Sequence, residues 1–304
     1  MSALVDRPVF LVGMPRSGTT LIFEVFAAHH DVAWLSQYMN LLPRVPALAV
    51  LSRLADLDAG LRRSVNRSDR DRPLLQRLFP GPSEAYRVWQ RCCGEKFRYE
   101  YLLGAAAAPE EAACALRLAA SVVRLQAKRR FAAKLTGPGR IRYLSSIFPE
   151  ARFAHVVRDG RAVVKSLLAV PFWQTRERMS RPAWSGGLSE RDQQDIERYG
   201  RSPRALAAVQ WRRVVESTRV EGAFVGDRYA EFKYERFTAA PLQTLLEIFR
   251  FAELEESANA EEFLSRRTDI KDMNYRSFRE LGARDRKMYS DLMGQTLATF
   301  GYGD

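Results

Sequence analysis

The sequence predicts an α/β protein built on a mainly parallel sheet, and three observations lead there. Short runs such as Val9-Phe10-Leu11-Val12 and Phe153-Ala154-His155-Val156-Val157 have the near-continuous hydrophobicity of strands covered on both faces. Helical patterns stand between successive runs, so strand and helix alternate along the chain. Two of the runs break at Gly13 and at Asp159-Gly160 into a turn that opens a helix, the form a parallel crossover takes.

Taken in order, Val9 to Val12 is a first strand and Leu21 to Ala28 a first helix. His29-His30-Asp31 turns into a short second strand that reaches Leu35. Residues 40–80 alternate apolar and arginine-rich helical patterns, punctuated by Pro43, Pro46, Pro73 and Pro80. Pro109-Glu110-Glu111 opens a helix that runs to the region of Arg129, with proline in its first turn, acids at its start and bases at its end. Arg130 to Thr136 is a strand that stops at Gly137-Pro138-Gly139. A helix with Ile141, Leu144 and Ile147 turned inward then leads to the strand Arg152 to Arg158 and the helix Arg161 to Leu168. Residues 171–204 lack periodicity and read as a lid or acceptor-binding insert. Ser202-Pro203 starts a helix through Trp211, Tyr229 to Tyr234 is a last strand, Pro241 to Phe251 is an amphipathic helix, and residues 257–304 are mainly helical. With 304 residues and no repeat, low-complexity tract or linker, one domain spanning 1–304 is the simplest organisation.

Composition narrows the function. No apolar run approaches the roughly 20 residues of a membrane span. The N-terminus enters the first strand almost at once, without a secretory leader, so a cytoplasmic location is expected. Cys92, Cys93 and Cys114 have neither a disulfide-framework nor a zinc spacing, and reduced thiols are expected. Three histidines, His29, His30 and His155, give little basis for a metal site, and no metal is expected. The net charge of +12 is carried mostly by scattered arginines. It favours an anionic ligand, and without an aromatic-interleaved basic tract no nucleic-acid partner is expected.

The most informative stretch is Gly13-Met14-Pro15-Arg16-Ser17-Gly18-Thr19-Thr20. Strand, small-residue loop and helix form a phosphate cradle. Glycine lets loop N–H groups turn inward, and the helix start offers unpaired N–H groups and the positive end of its dipole. The Gly13–Gly18 spacing resembles a Walker A loop, but Thr19 stands where the lysine belongs, which argues against hydrolysis of a nucleoside triphosphate. A second anion site is read at Val157-Arg158-Asp159-Gly160-Arg161. Arg158 stands at the carboxyl end of a strand and Ser166 on the helix that follows, so both sites would face one crevice and hold a ligand with phosphates at both ends. The competing reading of Arg158 is a salt bridge to Asp159 or Asp31.

With both motifs in hand, the chain resembles the sulfotransferases that use 3′-phosphoadenosine 5′-phosphosulfate (PAPS). Pro15-Arg16-Ser17-Gly18-Thr19-Thr20 is similar to that family's 5′-phosphosulfate loop, and Val157 to Ala162 with Ser166 is similar to its 3′-phosphate motif. Lys134 and the block Phe148-Pro149-Glu150-Ala151-Arg152-Phe153 resemble the branch containing protein-tyrosine sulfotransferases, and Tyr234-Glu235-Arg236-Phe237 resembles a late strand whose tyrosine lies near adenine. The resemblance implies a P-loop-like three-layer sandwich and transfer of a sulfuryl group to a hydroxyl of a carbohydrate, glycolipid or small molecule. PAPS would be the donor and adenosine 3′,5′-bisphosphate the product. A homodimer is a further expectation for the chain. Pro15, Arg16, Ser17, Gly18, Thr19 and Thr20 would hold the 5′-phosphosulfate, Arg158 and Ser166 the 3′-phosphate, and Tyr234 would pack on adenine or serve as a core tyrosine. Arg276 and Lys287 are looser 3′-phosphate candidates.

The chemistry asks for cations at the leaving group and for a base. Arg16 and Lys134 are the expected cations; Lys134 could equally be a solvated strand-end lysine. The segment Leu35-Ser36-Gln37-Tyr38 lacks the carboxylate that the tyrosine-sulfating branch carries, so tyrosine sulfation is not implied. Glu24, His29, Asp31 and Glu95 remain as base candidates, with His29 preferred because its ordinary pKa suits a base near neutrality. Trp173, Arg176, Arg178, Arg181 and Trp184 would line the acceptor wall or simply pack an ordered loop. A P-loop nucleotide kinase and a non-catalytic nucleotide-binding protein are the alternative functions.

Overall fold

The computed structural model describes residues 5–56, 78–171, 173–268, 270–272, 274 and 281–303. Five parallel strands form its sheet among the described residues: β1 (Val9–Gly13), β2 (Val32–Trp34), β3 (Arg130–Thr136), β4 (Arg152–Val157) and β5 (Tyr229–Lys233), in the spatial order β2-β3-β1-β4-β5. The sequence expectation of five strands holds, apart from the last end: Tyr234 is the first residue of a helix.

Each strand alternates its side chains between two covered faces, which is why its sequence reads as continuously apolar. Phe10, Val12, Phe131, Ala133, Leu135 and Phe153 face one core. That core is completed by α3 (Tyr86–Cys93), α5 (Pro109–Gln126) and α6 (Ile141–Ile147). Val9, Leu11, Ala132, Ala154 and Val156 face the other, against α1 (Thr19–Phe26), α12 (Pro241–Phe251) and α13 (Ala258–Ser265). Beyond β4, α7 (Gly160–Leu168), α10 (Pro203–Ala223) and α14 (Ala283–Thr299) enclose a third apolar cluster that includes Met14, Trp173 and Trp184. Short helices complete the set: α2 (Gln37–Leu41), α4 (Lys96–Tyr99), α8 (Arg176–Ser180), α9 (Glu190–Arg198) and α11 (Tyr234–Ala239). The insert at 171–204 is therefore not wholly irregular, since it contains α8 and α9 and buries both tryptophans. Within the arginine-rich stretch, Pro46–Asp56 forms a 3-10 helix, while residues 57–77 lie outside the described residues.

The expectation of three reduced thiols is corrected. Cys92 and Cys114 form a disulfide, with Cα atoms 5.3 Å apart, and only Cys93 is free. Cys92 and Cys93 sit on different sides of α3: one meets α5, the other enters the core. Sequence spacing missed the pair because helix packing, across a separation of 22 residues, brings it together. Burial pushes the Cys93 thiol up to about 11. The cysteines thus give no argument for a reducing compartment. No helix among the described residues is long and apolar enough to cross a membrane.

Candidate active site

Strand register brings the predicted residues to one edge. Gly13 pairs with Thr136, Leu11 with Lys134 and Val157 with Lys233, so the residues after β1, β3, β4 and β5 emerge side by side at the carboxyl ends. Gly13 has to be glycine, because a Cβ there would lie 2.4 Å from the Val156 carbonyl oxygen. The loop then turns through two left-handed residues, Arg16 (φ 74°) and Gly18 (φ 87°). A non-glycine residue in that region costs about 1–2 kcal/mol, so the fold maintains a strained arginine here. Gly18 is the N-cap of α1, and no side chain caps it. Ser17 is fully buried and its Oγ has no partner in the protein. Together these leave polar capacity in the loop without a partner in the protein, as an anion site requires.

Arg16 extends from this loop to the second motif. Its Nε donates to Ser166 Oγ at 3.0 Å, while Arg158 Nη1 donates to the Arg16 carbonyl at 3.0 Å. Arg16 is exposed as a residue. Desolvation of its guanidinium, then the nearby Arg158 charge, lowers its pKa. Among the described residues neither arginine is ion-paired to a carboxylate, and an anion between them would relieve the repulsion. The salt-bridge reading of Arg158 is not what the structure holds. Asp159 caps α7 through the Arg161 N–H at 2.8 Å and pairs with the Arg161 guanidinium, and Asp31 lies with His30 and Arg129.

Behind Arg158 stands a polar chain that the sequence did not announce. Arg158 Nε donates to Asn274 Oδ1 at 2.9 Å, and the Asn274 amide donates to Glu235. Glu235 also accepts from the Asp159 N–H at 3.1 Å and from Tyr302 Oη at 2.8 Å. Tyr234 packs its ring where a Gly18 Cβ would be, and the Arg158 guanidinium stacks 4.4 Å from the ring centroid. Its hydroxyl donates to the Lys271 carbonyl at 2.9 Å. Tyr234 thus braces the loop against the second motif.

On the β3 side, Lys134 is nearly buried. Its Nζ lies 2.7 Å from Thr20 Oγ1 and 3.3 Å from a carboxylate oxygen of Glu84. Thr136 Oγ1 donates to the same Glu84 oxygen at 3.0 Å. Glu84 reaches this edge because its segment is fastened to the end of β2: Pro82 bridges Ser36, and the Ser83 N–H donates to the Leu35 carbonyl at 2.8 Å. This carboxylate was absent from the sequence candidates. Its only local signal is an acid placed between the Pro80-Gly81-Pro82 turn and the amphipathic α3.

The preferred base, His29, is not at this edge. It follows α1 at the far end, about 15 Å along the helix from Gly18. It is fully buried; Nε2 donates to the Glu255 carbonyl at 2.9 Å and Nδ1 accepts from the Asp31 N–H at 3.0 Å. Both nitrogens are engaged and desolvation lowers its pKa, so the His29, His30 and Asp31 donors, although within 4.8 Å of one another, offer no free His29 lone pair to a metal. The other candidates are also engaged elsewhere: Glu24 pairs with Arg267 at 2.6 Å inside the α1–α13 core, and Glu95 accepts from Gln90. Lys287 is exposed on α14 and faces Asp291, and Arg276 lies outside the described residues.

Comparison with known proteins agrees with this layout. A family model described as "Sulfotransferase family" matches residues 8–258. Among solved structures, sulfotransferase STF9 from Mycobacterium avium superposes with a TM-score of 0.60 at 19% identity, covering 99% of this chain and 79% of that one. Sulfotransferase STF1 from Mycobacterium tuberculosis superposes with a TM-score of 0.51 at 15% identity, covering 95% and 77%. No curated protein matches the chain.

Proposed function

Because this chain belongs to the sulfotransferase family, we propose that it transfers a sulfuryl group from PAPS to a hydroxyl of a carbohydrate, glycolipid or small-molecule acceptor. The observation that carries the reading is the contact of Arg16 with Ser166 and of Arg158 with the Arg16 carbonyl, in the loop that also holds the unpartnered Ser17 hydroxyl. That junction suits a ligand with an anion at each end. A triphosphate would ask for the cation that Thr19 replaces.

The donor supplies the sulfuryl group and an adenosine bisphosphate leaving group. On this reading Ser17, Gly18, Thr19 and the open start of α1 bind the 5′ side, and Arg158 and Ser166 bind the 3′-phosphate. Lys134, held against Thr20, neutralises charge that grows on the leaving oxygen. Glu84 takes the hydroxyl proton as the acceptor oxygen bonds to sulfur and the sulfur–oxygen bond to the 5′-phosphate breaks. Arg16 orders the loop relative to Ser166 and adds positive charge between the two sites.

Thermal shift with adenosine 3′,5′-bisphosphate beside ATP and AMP tests this. At a hundredfold excess over its dissociation constant the bisphosphate should add about 2.7 kcal/mol of stability, a rise of a few degrees in Tm. AMP and ATP should do far less, and Arg158→Ala should abolish the difference. Equal responses to all three nucleotides, or a preference for ATP, would return the chain to the kinase or nucleotide-binding alternatives.

A further inference from the structure

A cavity of about 630 Å³ lies against the 177–206 segment, lined among others by Tyr99, Trp184, Leu188, Ile196 and Leu206. We propose that it receives the body of the acceptor, and that this acceptor is an uncharged hydroxyl compound with a flat or aliphatic body rather than a polyanion. The proposal rests on the sulfuryl-transfer reading and deepens it.

Position is the first argument. The Trp184 indole occupies the space beside Gly137, where a Cβ would lie 2.5 Å from the ring, and the Gly137 N–H donates to the Gly13 carbonyl at 3.0 Å. One cavity wall therefore rests on the ends of β3 and β1. Tyr99, on a second wall, shares the Arg98 guanidinium with Tyr86, at 5.2 and 5.8 Å from the ring centroids. The Tyr86 hydroxyl in turn donates to the Thr136 carbonyl, beside Glu84 and Lys134. Both walls thus lead back to the carboxyl end of β3, where the proposed transfer residues Lys134 and Glu84 stand.

The walls are also fixed. The Ser185 N–H donates to the Tyr99 carbonyl at 2.8 Å and the Tyr101 N–H to the Ser185 carbonyl at 3.1 Å, the Ala183 N–H donates to Gln210 at 2.6 Å, and Arg213 donates to the Gly187 carbonyl. A preformed pocket of this volume suits a ligand of drug or disaccharide size.

Charge is the second argument, and it separates acceptor classes. The chain carries +12, yet the charged residues on this cavity cancel: Glu177 pairs with Arg181 and Glu197 faces Arg201, each one helical turn apart. A polyanion finds no excess cation here. The buried lining is aromatic and aliphatic, which favours rings and alkyl chains by area and by stacking.

The test uses 2-naphthol and octyl β-glucoside as neutral acceptors, beside heparan sulfate as the anionic one, with labelled PAPS. We expect turnover of a neutral acceptor with a KM that changes less than about twofold between about 50 and 500 mM NaCl, a range that cuts the Debye length to roughly a third. Tyr99→Ala and Leu188→Asp should each raise that KM by about tenfold, the loss of roughly 1.4 kcal/mol of contact, with the bisphosphate thermal shift unchanged. Turnover of heparan sulfate alone, no turnover of either neutral acceptor, or unchanged KM in both variants overturns the proposal and leaves the nucleotide reading standing. A wild-type protein without a bisphosphate response removes both.

Discussion

At Glu84 the Lys134 ammonium and the Thr136 hydroxyl meet one carboxylate oxygen, and on the proposed reading the second oxygen takes the proton of the incoming hydroxyl. Glu84→Gln keeps the shape and removes the proposed base. Its kcat should fall by about 10²–10³-fold, as for loss of a positioned general base, while bisphosphate affinity stays within about twofold. An unchanged kcat would reduce Glu84 to a tether for Lys134. The residues of the Gly13–Thr20 loop, Arg158 and Ser166 were legible in the sequence because each lies within a short motif that positions its own backbone. Glu84 was not, because fifty residues separate it from Lys134 and only the attachment of its segment to β2 brings it there. The same gap explains His29: its intrinsic pKa suits the role, but chain direction along α1 carries it to the opposite end of the helix.

At the scale of elements, strands and long helices follow their hydrophobic periods, and α5, α7 and α12 lie within a few residues of expectation. The short elements were less legible. β5 ends before Tyr234, and α8 and α9 hide in a stretch whose tryptophans are core while its polar residues cap helices. The segment after α14 has a part that periodicity could not reveal. Tyr302 reaches back to Glu235, Arg161 donates to the Tyr302 carbonyl at 3.2 Å, and through Asn274 this tail steadies Arg158. Tyr302→Phe removes one hydroxyl donor from a charged acceptor. It should weaken adenosine 3′,5′-bisphosphate by about three- to tenfold, roughly 1 kcal/mol passed on through the chain, and leave AMP affinity unchanged. Calorimetric titration with both nucleotides checks it: parallel losses would show general loosening instead.

At the scale of the molecule, the sheet was legible because its strands are buried on both faces, whereas the disulfide was not, because helix packing creates it. One buried group also couples the fold to pH. His155 is fully buried on β4, its Nδ1 is bonded to the Tyr229 hydroxyl at 2.7 Å, and its Nε2 has no partner. Desolvation holds its pKa down at about 4 against 6.5 for the ordinary group. Well above pH 6.5 it is neutral in folded and unfolded chains alike. As pH falls towards 4 the unfolded chain takes up the proton first, so stability drops across that window, by up to about 3 kcal/mol. Urea midpoints measured from pH 7 to 4 should fall more steeply for the wild type than for His155→Gln; identical slopes would exclude His155 as the cause. The contact between Arg16 and Ser166 has a different reach. It makes the two anion subsites one mechanical unit, since the side chain of the first is seated on the second and its carbonyl holds the arginine of the second. If the donor binds as proposed, the free energies of its two ends are therefore not additive. On the proposed reading, a nucleotide that fills only one end would leave the other guanidinium uncompensated, and the protein would discriminate against half-ligands more sharply than the sum of separate phosphate contacts requires.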